Sequence, residues 1–402
     1  MLGFKKYKLG EVLDIIMGQS PDGATCNKNN NGTPLLNGPT EFGEKFPTAV
    51  QYTTDPKKFS EEGDILFCVR GSTTGRMNFS DRQYAIGRGL AAIRHKKGKH
   101  LQSFVRGLID TILSGMLQNV TGSTFPNLSK EQLNNYEVQI PEDLPTQTRI
   151  ASILSSLDDK IELNRRTNHT LEQIAQTLFK KYFVDDIDQE NLPEGWRWGK
   201  LGDVTCKITK GTTPTTLKKQ FALSGINFLK VENLTESGTF DKSKLNFIDE
   251  ETDKLLSRSR IQDKDILFSI AGTLGRIALV NENILPANTN QALAIIRPDM
   301  KIIEPLFIYY WLKEATVREE IFSKSVQGVQ ANLSLGVLSD IDIIIPSKDI
   351  LGKKFENINP IYKKIEQNEI EISLLTSLRD SLLPKLMSGE IEVNATEKEL
   401  VK

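Results

Sequence analysis

Cysteine and histidine are scarce, at three each in 402 residues. Cys26, Cys68 and Cys206 are odd in number, far apart and without a CxxC pair, which excludes a disulfide framework and offers no zinc spacing. They are expected to be structural thiols. His95, His100 and His169 form no HxxxH pair and stand beside no carboxylate cluster, so each is expected as a solvated surface side chain. No apolar run approaches the roughly 20 residues that span a bilayer, and the opening lysines lead into no apolar stretch. A cytoplasmic protein is expected. Charge of one sign is lacking too: 51 Lys and Arg stand against 52 Asp and Glu, so any nucleic-acid surface must rest on local patches.

Catalytic signatures are absent as well. The Gly71 to Arg76 segment lacks phosphate-loop spacing, and there is no dinucleotide fingerprint or nucleophile elbow. Asn357-Ile358-Asn359-Pro360 is not the Asn-Pro-Pro-aromatic motif of amino-methyltransferases, and Asp158-Asp159 fit a solvated helix face. No catalytic residue and no metal ligand is assigned.

What the sequence does have is a near-average globular composition, 38% hydrophobic and 26% charged, and a length that favours two or three domains. It also repeats itself. Tyr7 to Val12 reappears as Trp198 to Val204, with Leu9 and Leu201 separated by 192 residues. Gly18-Gln19-Ser20-Pro21 returns as Gly211-Thr212-Thr213-Pro214, and Asp64 to Phe67 as Asp265 to Phe268. Leu90 to Arg94 matches Leu293 to Arg297, and Asn127-Leu128-Ser129 matches Asn332-Leu333-Ser334, now separated by 205. Collinear order with drifting offsets means loop insertions within a duplicated unit too long for a solenoid repeat.

Each unit reads as a mixed α+β globule. The runs 64–69 and 265–270 are buried strands stopping at a glycine turn, 136–140 and 341–345 are strands ending at a proline, and helices are expected over 101–117 and 305–323. After Pro141 the period becomes seven. Ile150, Leu157, Asn164, Leu171 and Leu178, with Leu154, Ile161, Asn168, Ala175 and Tyr182, form a heptad seam on a helix over 147–183, about 55 Å long. Ile361, Asn368, Leu375 and Leu382 repeat it, with Ile358, Ile365, Ile372 and Leu386. Arg379 stands where the first seam has Ala175, and Pro384 is expected to kink or end the second helix near Leu383.

The expected fold is therefore α+β: two similar mixed α/β globules joined by two long antiparallel coiled-coil helices with pseudo-twofold symmetry. The divisions are 1–145 for the first globule, 146–184 for the central helix, 185–195 for an acidic linker, 196–346 for the second globule, 347–392 for the C-terminal helix and 393–402 for a tail. Asn164 and Asn368 share a seam position and are expected to lie close together, setting the helix register.

Polar loops at equivalent places in both globules are the candidate DNA-contacting residues: Gln19, Ser20, Arg70, Ser72, Thr73, Thr74, Arg76 and Thr124 in the first, and Lys210, Thr212, Thr213, Thr273, Arg276, Gln327 and Gln330 in the second. These side-chain types hydrogen-bond to base edges and phosphates. Arg82, Arg88, Arg94, Lys96, Lys97 and Lys99, and Lys207, Lys210, Lys218 and Lys219, are candidates for the local positive surface.

Three further segments carry a family resemblance. Leu192-Pro193-Glu194-Gly195-Trp196 leading into Lys200 to Val204, Thr177 to Val184, and Leu378 to Ile391 resemble stretches of the specificity (S) subunit of type I restriction–modification systems. With the duplication, the resemblance covers essentially the whole chain. It implies two target-recognition domains, each reading one half of a split site in double-stranded DNA, separated by helices that set the spacing and dock methyltransferase (M) subunits. It also implies a motor-nuclease (R) subunit, with S-adenosylmethionine, and ATP with Mg, used on those other subunits. The chain itself is then a non-catalytic part of a site-specific endonuclease and adenine methyltransferase complex. The competing readings are a nuclease or methyltransferase with an unrecognised site, and a protein-binding scaffold.

Overall fold

The computed structural model describes residues 3–118, 127–185, 187–188, 190–235, 237–325 and 332–393. The chain divides into two compact units, Met1–Leu163 with Ile372–Lys402, and Asn164–Glu371. Among the described residues no helix is long and apolar enough to cross a membrane.

In the first unit, strands Leu13–Met17, Leu90–His95, Ile65–Cys68 and Met77–Phe79 lie in that spatial order in an antiparallel sheet. Ile65–Cys68 is buried at every position, which explains its unbroken apolar sequence. Its side chains alternate between two cores. Ile65 and Phe67 meet Phe104, Val105 and Leu108 of the helix Gln102–Gln118, whereas Leu66 and Cys68 meet Leu36, Tyr84 and Ile86 of a five-stranded sheet. In that second sheet Thr33–Leu36 runs parallel to Tyr84–Ile86.

The second unit restates this plan. Thr205–Lys210, Leu293–Pro298, Ile266–Ser269 and Ile277–Leu279 form the equivalent antiparallel sheet, and Ile226–Leu229 runs parallel to Ala287–Thr289 in a three-stranded one. Ile266 and Phe268 pack with Phe307 and Tyr310, while Leu267 packs with Leu229 and Ala287. A buried ion pair is duplicated as well: Arg94 reaches Asp64 at 2.6 Å and Arg297 reaches Asp265 at 2.7 Å. Each unit also pairs its opening strand with its closing one, Phe4–Lys8 with Glu137–Pro141 and Arg197–Lys200 with Asp342–Ile345.

The Asn-Leu-Ser repeat has a local cause. Ser129 and Ser334 each cap a short helix, Lys130–Asn135 and Leu335–Ser339, by accepting from the N–H of Gln132 and Val337 at 3.1 Å. Such a cap stabilises a helix by about 1 kcal/mol.

The long helices run over Leu144–Lys180, followed by a π-helical turn at Lys181–Asp185, and over Lys348–Ser388. Within the first unit they pack antiparallel, Arg379 donating to Asp158 at 2.9 Å, and Arg149 of the first helix reaches the Val393 carbonyl beyond the end of the second, also at 2.9 Å. They are antiparallel within the second unit too, where Asn164 meets Glu371 and Tyr182 meets Asn357. Arg379 thus turns its seam position into an ion pair.

Two helix expectations are corrected. Pro384 does not end the second helix, which runs on to Ser388 because Leu386 and Met387 beyond it are buried in the first unit's core. That burial outweighs the single backbone N–H a proline withholds. The expected helix over 305–323 is two helices, Pro305–Trp311 and Ala315–Ser323. The break carries Lys313 to the buried Glu172 carboxylate at 2.5 Å, where the Tyr309 and Tyr310 hydroxyls also donate at 3.2 Å.

Candidate nucleic-acid interface

Antiparallel pairing fixes which loops meet. In the first unit Met17 lies opposite Ala91, and Cys68 opposite Leu90, so the loops leaving Met17 and Cys68 and the loop entering Leu90 emerge at one sheet end. Backbone hydrogen bonds stitch them together. Gly18 N–H donates to the Leu90 carbonyl, Gln19 to Ile86 and Val69 to Gly89, at 2.8 to 2.9 Å. The Arg88 N–H adds a bond to the Ser20 hydroxyl at 3.3 Å. Arg70 bridges to Asn127, and Leu128 N–H reaches the Val69 carbonyl at 3.0 Å.

The second unit repeats the Val69 and Leu128 bonds and the Arg70 bridge, while its glycine bonds a different carbonyl. Gly211 N–H donates to the Asn290 carbonyl, Ile270 to Ala292 and Leu333 to Ile270, and Ala271 bridges to Asn332. The Thr213 hydroxyl donates to Gln291 at 2.7 Å. Gly18 and Gly211 are forced by this closeness, since a Cβ on either would strike the carbonyl oxygen of Gly87 or Thr289.

The framework is shared, but the side chains it presents differ. Gln19, Ser20, Arg70, Ser72, Arg76 and Arg88 are exposed in the first unit, with Thr73 and Thr74 half-buried. In the second, Lys210, Thr273 and Gln291 are exposed and Thr212 and Thr213 half-buried, while Ala271 replaces Arg70. Arg276 departs from its counterpart. Its guanidinium turns inward and donates to the Leu234 carbonyl at 3.0 Å and the Val231 carbonyl at 3.4 Å, whereas Arg76 is exposed. Thr124, Gln327 and Gln330 lie outside the described residues.

Several candidate basic residues are engaged within the fold. Arg94 is held by Asp64 and Glu61, Lys96 donates to the Gly10 carbonyl, Lys207 to the Arg258 carbonyl, and Lys219 pairs with Glu251. Burial pushes the Asp64 carboxyl up, against the opposing pull of the Glu61 N–H and Arg94. His95 is a correction: it is 5% exposed, not solvated. Its Nδ1 accepts from the Lys97 N–H, its ring meets Phe104 edge-on, and burial holds its pKa down. It alternates with exposed residues only at the end of a strand whose apolar neighbours carry it inward. Among the described residues no group of three His, Cys, Asp or Glu could hold a metal ion.

The helix asparagines are also placed differently from expectation. Asn368 donates to Asn168, not Asn164, at 2.7 Å. Asn164 donates to Glu371 and Asn168 to Glu369, at 2.9 and 2.8 Å. Antiparallel helices align by the sum of residue numbers, so the partner of Asn368 lies one turn beyond the residue at the same heptad letter. Sequence reasoning named Arg88 only as a candidate basic residue and missed the 290–292 loop, although the repeat of Leu90 in Leu293 aligns the two loops.

Comparison with known proteins agrees with this duplicated plan. The family profile described as type I restriction modification DNA specificity domain matches residues 1–173 and 193–376. The type I restriction enzyme MjaIX specificity subunit of Methanocaldococcus jannaschii is 33% identical over 299 residues, covering 70% of this chain and 67% of that protein. The HindI specificity subunit of Haemophilus influenzae is 28% identical over 418 residues, covering 83% and 88%. The crystal structure of a type I restriction–modification S subunit from M. genitalium shares the fold, with a TM-score of 0.56, 19% identity and 96% of each chain covered. With both halves matched, the chain belongs to the type I restriction–modification specificity subunit family.

Proposed function

We propose that this specificity subunit is the non-catalytic DNA reader of its complex, each unit reading one half of a split target in double-stranded DNA. The observation that carries this is a loop framework repeated in both units, with Val69–Gly89 and Leu128–Val69 matched by Ile270–Ala292 and Leu333–Ile270, but presenting different side chains, Arg70, Arg76 and Arg88 in one unit and Ala271, Thr273 and Gln291 in the other. A shared frame with unlike chemistry is what two related readers of unlike sequences require, because frame bonds position the loops and exposed polar groups discriminate base edges.

On this reading the two long helices set the spacing between half-sites and dock methyltransferase subunits, and a motor-nuclease subunit joins for cleavage. S-adenosylmethionine, and ATP with Mg, act on those subunits, in the cytoplasm. The test is co-expression with the methyltransferase subunits of the same system, followed by methylation mapping of adenines. A modified sequence with two specified parts around a fixed unspecified gap supports the reading. A single uninterrupted target, or methylation by this chain alone when supplied with S-adenosylmethionine, refutes it.

A further inference from the structure

We propose that Ser269 is a positioning residue for DNA reading by the second unit, holding its 271–276 loop through a hydroxyl relay that the first unit does not need. This rests on the reading that these loops face DNA. The internal repeat supplies the comparison. Cys68 and Ser269 are equivalent strand-end residues, both buried, and each bonds the returning loop in the same way. Cys68 N–H donates to the Arg76 carbonyl and the Cys68 carbonyl accepts from Gly75 N–H, at 2.8 and 2.9 Å; Ser269 N–H donates to the Arg276 carbonyl and the Ser269 carbonyl accepts from Gly275 N–H, at 2.8 and 3.0 Å.

The loops differ by one residue. Ser72, Thr73 and Thr74 stand between the two glycines in the first, but only Thr273 and Leu274 in the second. The longer loop closes on itself, Arg76 N–H donating directly to the Thr73 carbonyl at 3.0 Å. In the shorter loop that bond is replaced. Arg276 N–H donates to the Ser269 hydroxyl at 2.7 Å, and the hydroxyl donates onward to the Thr273 carbonyl at 2.6 Å. One oxygen is inserted between the same two backbone groups.

Only a group that donates and accepts at once can do this, and a hydroxyl does. Ser269 is 0% exposed, so water cannot readily take its place. The Cys68 thiol lies 3.4 Å from the Arg70 carbonyl oxygen and 3.5 Å from the Thr73 hydroxyl, and the first loop's closure does not pass through it. The relay therefore fixes the backbone at Thr273, whose side chain is exposed.

The experiment uses the full chain assembled with its methyltransferase subunits, and duplexes carrying the mapped target with single-base changes in either half. Ser269→Ala is expected to lower discrimination against mismatches in the second half roughly tenfold, and to speed hydrogen exchange across 271–276. Circular dichroism, expected to match the parent chain, shows that the variant is folded, and first-half discrimination is expected to stay as it was. Cys68→Ala is expected to leave first-half discrimination as it was. If Ser269→Ala reads the second half normally while Thr273→Ala does not, the relay proposal is overturned and the loop reading stands. Normal reading by both variants overturns both.

Discussion

The Asn368 side-chain amide donates to the Asn168 Oδ1 at 2.7 Å across two antiparallel helix segments, with both residues buried. Removing one member leaves the other's polar group without its partner in a dry seam, which costs about 1–3 kcal/mol. Replacing both removes that penalty, leaving only the loss of the Asn168 bond to the half-buried Glu369. Asn368→Leu should therefore destabilise the second unit more than Asn168→Leu with Asn368→Leu together. Denaturant unfolding of the two single variants and the double variant measures the coupling, expected at about 0.5–3 kcal/mol.

Glu172 holds a second buried polar cluster, accepting from Tyr309, Tyr310 and Lys313. Burial, followed by the Glu172 charge, pushes both tyrosine hydroxyls well above their usual value, so they stay protonated as donors. Glu172→Ala would strand the Lys313 ammonium and should cost about 3–5 kcal/mol, whereas adding Lys313→Met should recover a large part of it. Chemical denaturation decides. A loss under about 1 kcal/mol for Glu172→Ala would show that the ammonium finds water.

The exposed and inward arginines should behave differently. Arg70→Ala and Arg76→Ala should weaken DNA binding across sequences and shallow its salt dependence by about one in slope per lost phosphate contact, with unfolding unchanged. Arg276→Ala should instead lower stability by about 1–3 kcal/mol, because the Leu234 carbonyl loses its donor. Salt-titrated binding alongside thermal unfolding separates the two effects.

His95 gives the pH dependence a defined sign. Burial lowers its folded pKa below the ordinary 6.5 against the opposing pull of a Gln147 hydrogen bond, with His100 and Lys97 adding to the lowering. The unfolded chain thus binds the proton first as pH falls. Stability is full above about 6.5 and declines below it until the folded value is reached. The fall in unfolding free energy from about pH 7.5 to about pH 5.5 should be smaller in His95→Gln than in the parent chain.

Much of this fold was legible because duplication makes a sequence comment on itself. The equivalence of Asp64 to Phe67 with Asp265 to Phe268 reported buried strands, and the heptad seam reported long helices. What stayed hidden depends on tertiary partners. Pro384 sits in a helix held by the burial of Leu386 and Met387, and His95 is drawn inward by the strand that carries it. The inward turn of Arg276 depends on two carbonyls some 40 residues away in sequence, which no local pattern signals. Asn168 was in the seam but lost to Asn164 because matching heptad letters ignores the offset of an antiparallel pair.

The central claim is that the two units read separate halves of the target. Its most direct test replaces residues 1–145 with the corresponding globule of another family member, followed by methylation mapping of the hybrid assembled with its methyltransferase subunits. The account predicts that one half of the modified sequence changes while the other half is retained. A hybrid that folds and methylates, yet alters both halves or neither, would contradict it.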